Sequence, residues 1–275
     1  MSLSEQEVEI KGPRRSFDCF RVFPESRSGK RPAVVVIHEI FGTDAHIRDV
    51  ARRFASLGYV AAAPNLFSGE VQKVLTPENI GLAMRAFANA PPELRRDPSL
   101  FASFAQSQPP DLRPILYAFG TVTSPAAQAG FALDLAAVSR YLRSLPEVDP
   151  ARIGSVGFCF GGAMSARFAT ADPDLRAAVI FYGQNPPLED VPKIGASVLG
   201  LYGGEDPGIT STVPDLAAAM KKAGKSFDYH VYPGARHAFF NDTRPNYHAE
   251  SAKDAWIRVR RFFAATLGGP APRPK

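Results

Sequence analysis

Two cysteines, one tryptophan and four methionines are all that a chain of 275 residues holds of those types. Cys19 and Cys159 are too few for a disulfide framework. A chain of this length buries enough surface to need neither disulfide nor metal to hold it, and a reducing cytoplasm is the expected setting. No run of about 18 apolar residues occurs, so no segment is expected to cross a membrane. The opening residues, MSLSEQEVEI, lack the basic-then-apolar order of a secretory signal.

One-signed charge is also scarce. Lys and Arg total 32 against 27 Asp and Glu, a formal net charge of +5. The basic pairs Arg14-Arg15, Arg52-Arg53, Arg95-Arg96 and Arg260-Arg261 are scattered over separate segments, as solvated faces are. No helix-turn-helix, RNP or zinc-finger pattern accompanies them, so nucleic acid is not an expected partner. The balance of 45% hydrophobic and 21% charged residues is that of an ordinary soluble globular protein.

What the chain does have is alternation. Ala33 to Ile37 is a continuous apolar, β-branched run, as in a strand covered on both faces. Ala45 to Leu57 follows with helical spacing and Gly58 placed to end it, and Tyr59 to Ala63 is strand-like, stopped by Pro64. Between about residues 70 and 124 prolines break up short apolar pieces, which predicts an irregular insertion or a small helical cap. Beyond it the pattern resumes. Helices are expected over Gln128 to Leu145, Gly161 to Thr170, Val213 to Ala223 and Glu250 to Ala265. Strands are expected over Arg152 to Gly157, Leu175 to Tyr182, Ser197 to Tyr202 and Phe227 to Tyr232. Repeated strand–helix pairs predict a single α/β domain spanning residues 1–275, with a mostly parallel sheet and helices on both faces. In such sheets ligands bind beyond the carboxyl ends of the strands, so the residues that follow strands are the ones to weigh.

Gly157-Phe158-Cys159-Phe160-Gly161 is such a place: G-x-C-x-G, the cysteine form of a nucleophile elbow. A strand must turn sharply into a helix with the nucleophile at the apex, and flanking glycines leave room for that approach. At a helix N-terminus the macrodipole favours a thiolate, and the Phe160 N–H is positioned as an oxyanion donor. A buried structural cysteine fits the pentapeptide alone equally well. Asp206 and His237, each just past a predicted strand, supply acid and base in the chain order of such hydrolases. Glu205 is the competing acid, while His230 within a strand and His248 at a helix entry read as structural and surface residues.

The first strand runs into His38-Glu39-Ile40-Phe41-Gly42, the loop that donates the second oxyanion N–H, expected from Ile40. Glu39 either caps the next helix, pairs with an arginine, or contacts the thiol or His237. The triad reading leaves three outcomes open: ester hydrolysis, acyl transfer on the same residues, or a non-catalytic relative that binds a ligand or senses redox state through Cys159.

Taken together, His38–Gly42, Gly58–Phe67, Gly157–Gly162, Gly203–Asp206 and His237–Phe239 resemble the dienelactone hydrolase family over roughly residues 30 to 265. The resemblance implies an α/β-hydrolase fold, a Cys-His-Asp triad, no metal or other cofactor, and a small-molecule lactone or activated ester as substrate. It implies that Glu39 pairs with Cys159 in the empty site. It also implies carboxylate-binding arginines, where this chain offers Arg85, Arg95, Arg96 and Arg244 as candidates and has Asn241 at one family position. Phe239, Asn241 and Arg244 are therefore the expected substrate-binding residues, in a protein acting as monomer or homodimer.

Overall fold

The computed structural model describes residues 2–25, 29–88, 94 and 98–268. Eight strands form one sheet: β1 (Leu3–Lys11), β2 (Ser16–Pro24), β3 (Arg31–Ile37), β4 (Val60–Pro64), β5 (Val148–Phe158), β6 (Ala177–Phe181), β7 (Ser197–Gly203) and β8 (Phe227–Tyr232). Their order is β1-β2-β4-β3-β5-β6-β7-β8. β1 and β2 are antiparallel, β2 joins β4 antiparallel, and every pairing from β4 to β8 is parallel. The β1–β2 hairpin has no clear period in the sequence. β1 reads LSEQEVEIK and buries only Ile10 fully, because an edge strand has polar positions free to face water.

Alternation along the central strands assigns the two faces. Val35 and Ile37 of β3 pack on one side with Leu135 and Leu142 of α6 (Pro125–Ser144) and Met164 of α7 (Phe160–Ala171). Val34 and Val36 pack on the other with Val50 and Phe54 of α1 (Ala45–Ser56) and Val259 and Phe263 of α10 (Ala249–Leu267), which follows α8 (Pro207–Thr210) and α9 (Val213–Lys222). Both faces are covered, which is why the strand sequences are apolar runs rather than alternating ones. Asp44 caps α1 by accepting from the Ile47 N–H at 3.1 Å, and Gly58, at φ +93°, ends it as expected.

Four helices take up most of the insertion's described residues: α2 (Glu70–Val74), α3 (Pro77–Ala88), α4 (Pro98–Ser107) and α5 (Leu112–Thr123). Short turns at 75–76 and 108–111 join these helices. Pro77, Pro98 and Pro125 each open a helix, where the missing N–H costs nothing. Prolines read as breakers in the sequence are starters in the fold. Ala83, Ala105, Ile115 and Leu116 give the insertion its own small core, while Leu75, Ile80 and Val122 join the main one.

The chain runs from β3 through α1 to β4 on one side, then returns to β5 on the other side of β3. The crevice where the connections diverge therefore lies between the carboxyl ends of β3 and β5, with Ile37 opposite Gly157.

Candidate active site

Cys159 sits at the apex between β5 and α7 with φ 55° and ψ −113°. A non-glycine residue in that region costs about 1–3 kcal/mol and persists only where its surroundings enforce it. The surroundings here are backbone: the Cys159 N–H donates to the Phe181 carbonyl at 3.0 Å, and its own carbonyl accepts from Ala163 at 3.1 Å. A Cβ on Gly157 would lie 1.8 Å from the Gly161 carbonyl oxygen, and one on Gly161 would lie 2.3 Å from that of Ile37. The two glycines thus press the elbow against the end of β3. Cys159 is half-buried, and Phe160 contributes a first-turn amide that has no acceptor within its helix.

His237 and Asp206 arrive from the ends of β8 and β7. The two turns are laced together by Gly204 N–H to Tyr232 O at 2.8 Å and Glu205 N–H to Ala235 O at 2.9 Å. Asp206 Oδ2 accepts from His237 Nδ1 at 2.6 Å, which leaves Nε2 for Cys159. Burial pulls the imidazole pKa down, but the hydrogen bonds to Asp206 and Cys159, with their charges, outweigh it and hold His237 at about 10. Glu205, the competing acid, is exposed. His248 caps α10, its Nδ1 facing Ser251, and His230 stands half-buried in β8 against Tyr232.

Glu39 is 3% exposed, and its hydrogen bonds differ from those expected. Oε2 accepts from the Asn241 side-chain amide at 2.8 Å, and Oε1 faces the Tyr182 hydroxyl at 3.4 Å. Among the described residues no hydrogen bond joins it to Cys159 or His237, and Asp44 rather than Glu39 caps α1. Burial raises its pKa, opposed by the Asn241 hydrogen bond. Tyr182, which follows β6 at φ 39°, lies with its ring 5.2 Å from that of His237. Its place at the end of an expected strand is the signal the sequence offers. His46, fully enclosed by Phe158 and Phe240, turns Nδ1 to Asp242 at 3.3 Å.

Two of the expected substrate-binding residues are fully buried. Phe239 is fully buried, its ring among Phe181, Tyr182 and Tyr232, so it supports the floor and touches no solvent. Asn241 is equally buried and spends its amide on Glu39 and its carbonyl oxygen on Thr243. A short polar side chain between a buried carboxyl group and a turn serves both. Arg244 is partly exposed, with its guanidinium 3.8 Å above the Phe41 ring and 4.0 Å from Asp44. Arg85 is exposed and folded back along α3 over Gly81, while Arg95 and Arg96 lie outside the described residues.

Among the described residues no group of three or more His, Cys, Asp and Glu is placed to hold a metal ion, and no helix is long and apolar enough to cross a membrane.

A mixed eight-stranded sheet, helices on both faces and a strained residue between β5 and α7 define an α/β-hydrolase. The dienelactone hydrolase family matches residues 17–267. The chain is 37% identical over 244 residues to a Saccharolobus solfataricus protein named "Putative carboxymethylenebutenolidase", covering 88% of this chain and 93% of the relative. A Methylorubrum extorquens protein of the same name is 32% identical, covering 93% of this chain and 79% of the relative. The crystal structure of a "Putative Dienelactone Hydrolase" from Klebsiella pneumoniae superposes with a TM-score of 0.73 at 30% identity, covering 96% of this chain and 99% of that one. The chain belongs to the dienelactone hydrolase family and is a hydrolase acting on ester bonds.

Proposed function

We propose that the protein hydrolyses lactones or small activated esters through a thioester on Cys159. The observation that carries the reading is the 2.6 Å contact of Asp206 with His237 Nδ1, which turns Nε2 toward the half-buried thiol. The Cys159 thiolate, paired with protonated His237, attacks the carbonyl carbon. A C–S bond forms, and the electron pair moves onto the carbonyl oxygen, which accepts from the N–H groups of Ile40 and Phe160. Collapse breaks the C–O bond, and His237 gives its proton to the leaving alkoxide, which stays tethered if the substrate is a lactone. His237 then takes a proton from water, whose hydroxide splits the thioester and releases the acid. Asp206 keeps the imidazole in one orientation throughout.

Glu39 acts in this reading as a buried acid held between Tyr182 and Asn241. Arg244 at the rim is the group assigned to an anionic part of the substrate. A single domain with its helical insertion carries the whole site, and the cytoplasm is the setting that keeps the thiol reduced.

The test is turnover of p-nitrophenyl acetate and of a dienelactone by wild type and Cys159→Ala, with mass spectrometry of the acylated protein. An acyl adduct on the Cys159 peptide and loss of turnover in the variant are expected. Equal turnover by both proteins would sink the assignment.

A further inference from the structure

His38 follows β3 directly and is completely buried, yet it is neither acid nor base in the proposed chemistry. Its two ring nitrogens are both committed to backbone. The Leu66 N–H donates to Nε2 at 3.0 Å, so Nε2 is the bare nitrogen and the ring proton is on Nδ1. Nδ1–H in turn donates to the carbonyl of Glu39. That carbonyl belongs to the peptide whose other half is the N–H of Ile40. In a planar trans peptide the C=O and the following N–H point in opposite directions. Fixing the Glu39 carbonyl therefore fixes the Ile40 N–H, and a hydrogen bond received at the oxygen polarises the amide as a donor.

Other contacts lock the ring in place. The ring lies stacked on Phe160 with centroids 6.0 Å apart and edge-on to Phe67 at 4.8 Å. The Leu66 turn is held from its far side by Arg15, whose guanidinium donates to the carbonyls of Leu66 and Ser68. The Gly42 N–H adds a second donor to the Glu39 carbonyl at 3.3 Å. Burial pulls the imidazole down to about 4 despite the Glu39 bond, so it is neutral and Nε2 remains an acceptor across the neutral range.

We propose that His38 is a positioning residue, which aims and polarises the Ile40 N–H through the Glu39 carbonyl and ties that donor to the ring of Phe160, the other donor. The proposal rests on the reading of Ile40 and Phe160 as the oxyanion donors.

Two variants separate this role from simple packing. His38→Asn keeps an amide N–H near the place of Nδ1 and loses the acceptor for Leu66. His38→Gln reaches the Leu66 N–H with its oxygen and loses the donor to Glu39. On p-nitrophenyl acetate, kcat is expected to stay within about threefold of wild type for His38→Asn and to fall on the order of 10²-fold for His38→Gln, the loss typical of one oxyanion contact. KM is expected to change little in either. Alkylation of Cys159 by iodoacetamide generates no oxyanion and should proceed at the wild-type rate in both. Equal kcat in the two variants, or alkylation falling in step with acylation, overturns the proposal. Should either variant fail to fold, 15N NMR of histidine-labelled wild type decides: a proton on Nδ1 of His38 supports the role, and one on Nε2 overturns it. Failure of the catalytic reading itself is distinct, because Cys159→Ala would then turn over substrate as fast as wild type.

Discussion

Asn241 donates its side-chain amide to Oε2 of Glu39 across 2.8 Å, joining two residues 202 positions apart. Both are buried, and the carbonyl oxygen of the same amide accepts from Thr243. Burial pushes the Glu39 pKa up, and the Asn241 hydrogen bond opposes that push. Its removal should be felt in stability. Asn241→Leu is expected to cost about 1–3 kcal/mol, the cost of leaving a buried polar group unsatisfied, measured by urea denaturation at pH 7. Wild-type stability in that variant would show that Glu39 does not depend on Asn241.

Buried His38 and half-buried His237 are expected to shape the pH–stability curve with opposite signs. His38 falls from its ordinary 6.5 to about 4, so between those values only the unfolded chain takes up the proton. Stability should drop by about 3 kcal/mol as pH falls through that window and level off below it. His237 rises from 6.5 to about 10, so its contribution is whole below 6.5 and is lost as pH rises through 10. Denaturation midpoints from pH 4 to 10 check both: His38→Asn should flatten the acid limb and His237→Gln the alkaline one. A wild-type curve level from 4 to 10 would contradict both assignments.

Gly157 should tolerate no side chain. An added Cβ would sit 1.8 Å from the Gly161 carbonyl oxygen, a backbone atom that cannot rotate away. Gly157→Ala is expected to destabilise by at least about 3 kcal/mol, at the upper end of overpacking costs, or to give no folded protein. A variant that melts with wild type would mean that the elbow is looser than its contacts require.

The acid partner can be separated from its neighbour. Asp206→Asn should lower kcat by about 10²-fold or more, since the amide no longer stabilises the charged imidazole. Glu205→Gln should leave kcat unchanged, because that side chain is exposed and only its backbone N–H is used. The reverse pattern in steady-state assays would reassign the acid.

Phe239 should matter to folding and not to substrate affinity. Phe239→Leu removes part of a fully buried ring and is expected to cost about 1–3 kcal/mol. KM for p-nitrophenyl acetate should stay within twofold. A large rise in KM at unchanged stability would return Phe239 to the binding site.

The sequence was most legible where local rules act alone. The apolar run of β3, the elbow glycines and the order of Cys159, Asp206 and His237 after strands all follow from chain-local periodicity and turn chemistry. It was least legible where a residue has more than one use. The prolines at 77, 98 and 125 open helices, which a reading of proline as a breaker misses. β1 is too polar to announce itself, since an edge strand's pairing partner β2 supplies its reason to be a strand.

The sequence by itself determined the fold class, the family resemblance and the rim on which the chemistry sits, because periodicity and glycine spacing record backbone requirements directly. Only the tertiary structure decided how the charges are shared. Glu39 faces Tyr182 and Asn241, His38 spans the carbonyl of Glu39 and the amide of Leu66, and Phe239 and Asn241 lie beneath the site. Those partners come from different strand ends, and a hydrogen bond between distant segments leaves no period in the chain. Packing the two faces of the sheet brings the segments together, and burial then compels each polar group to find its partner.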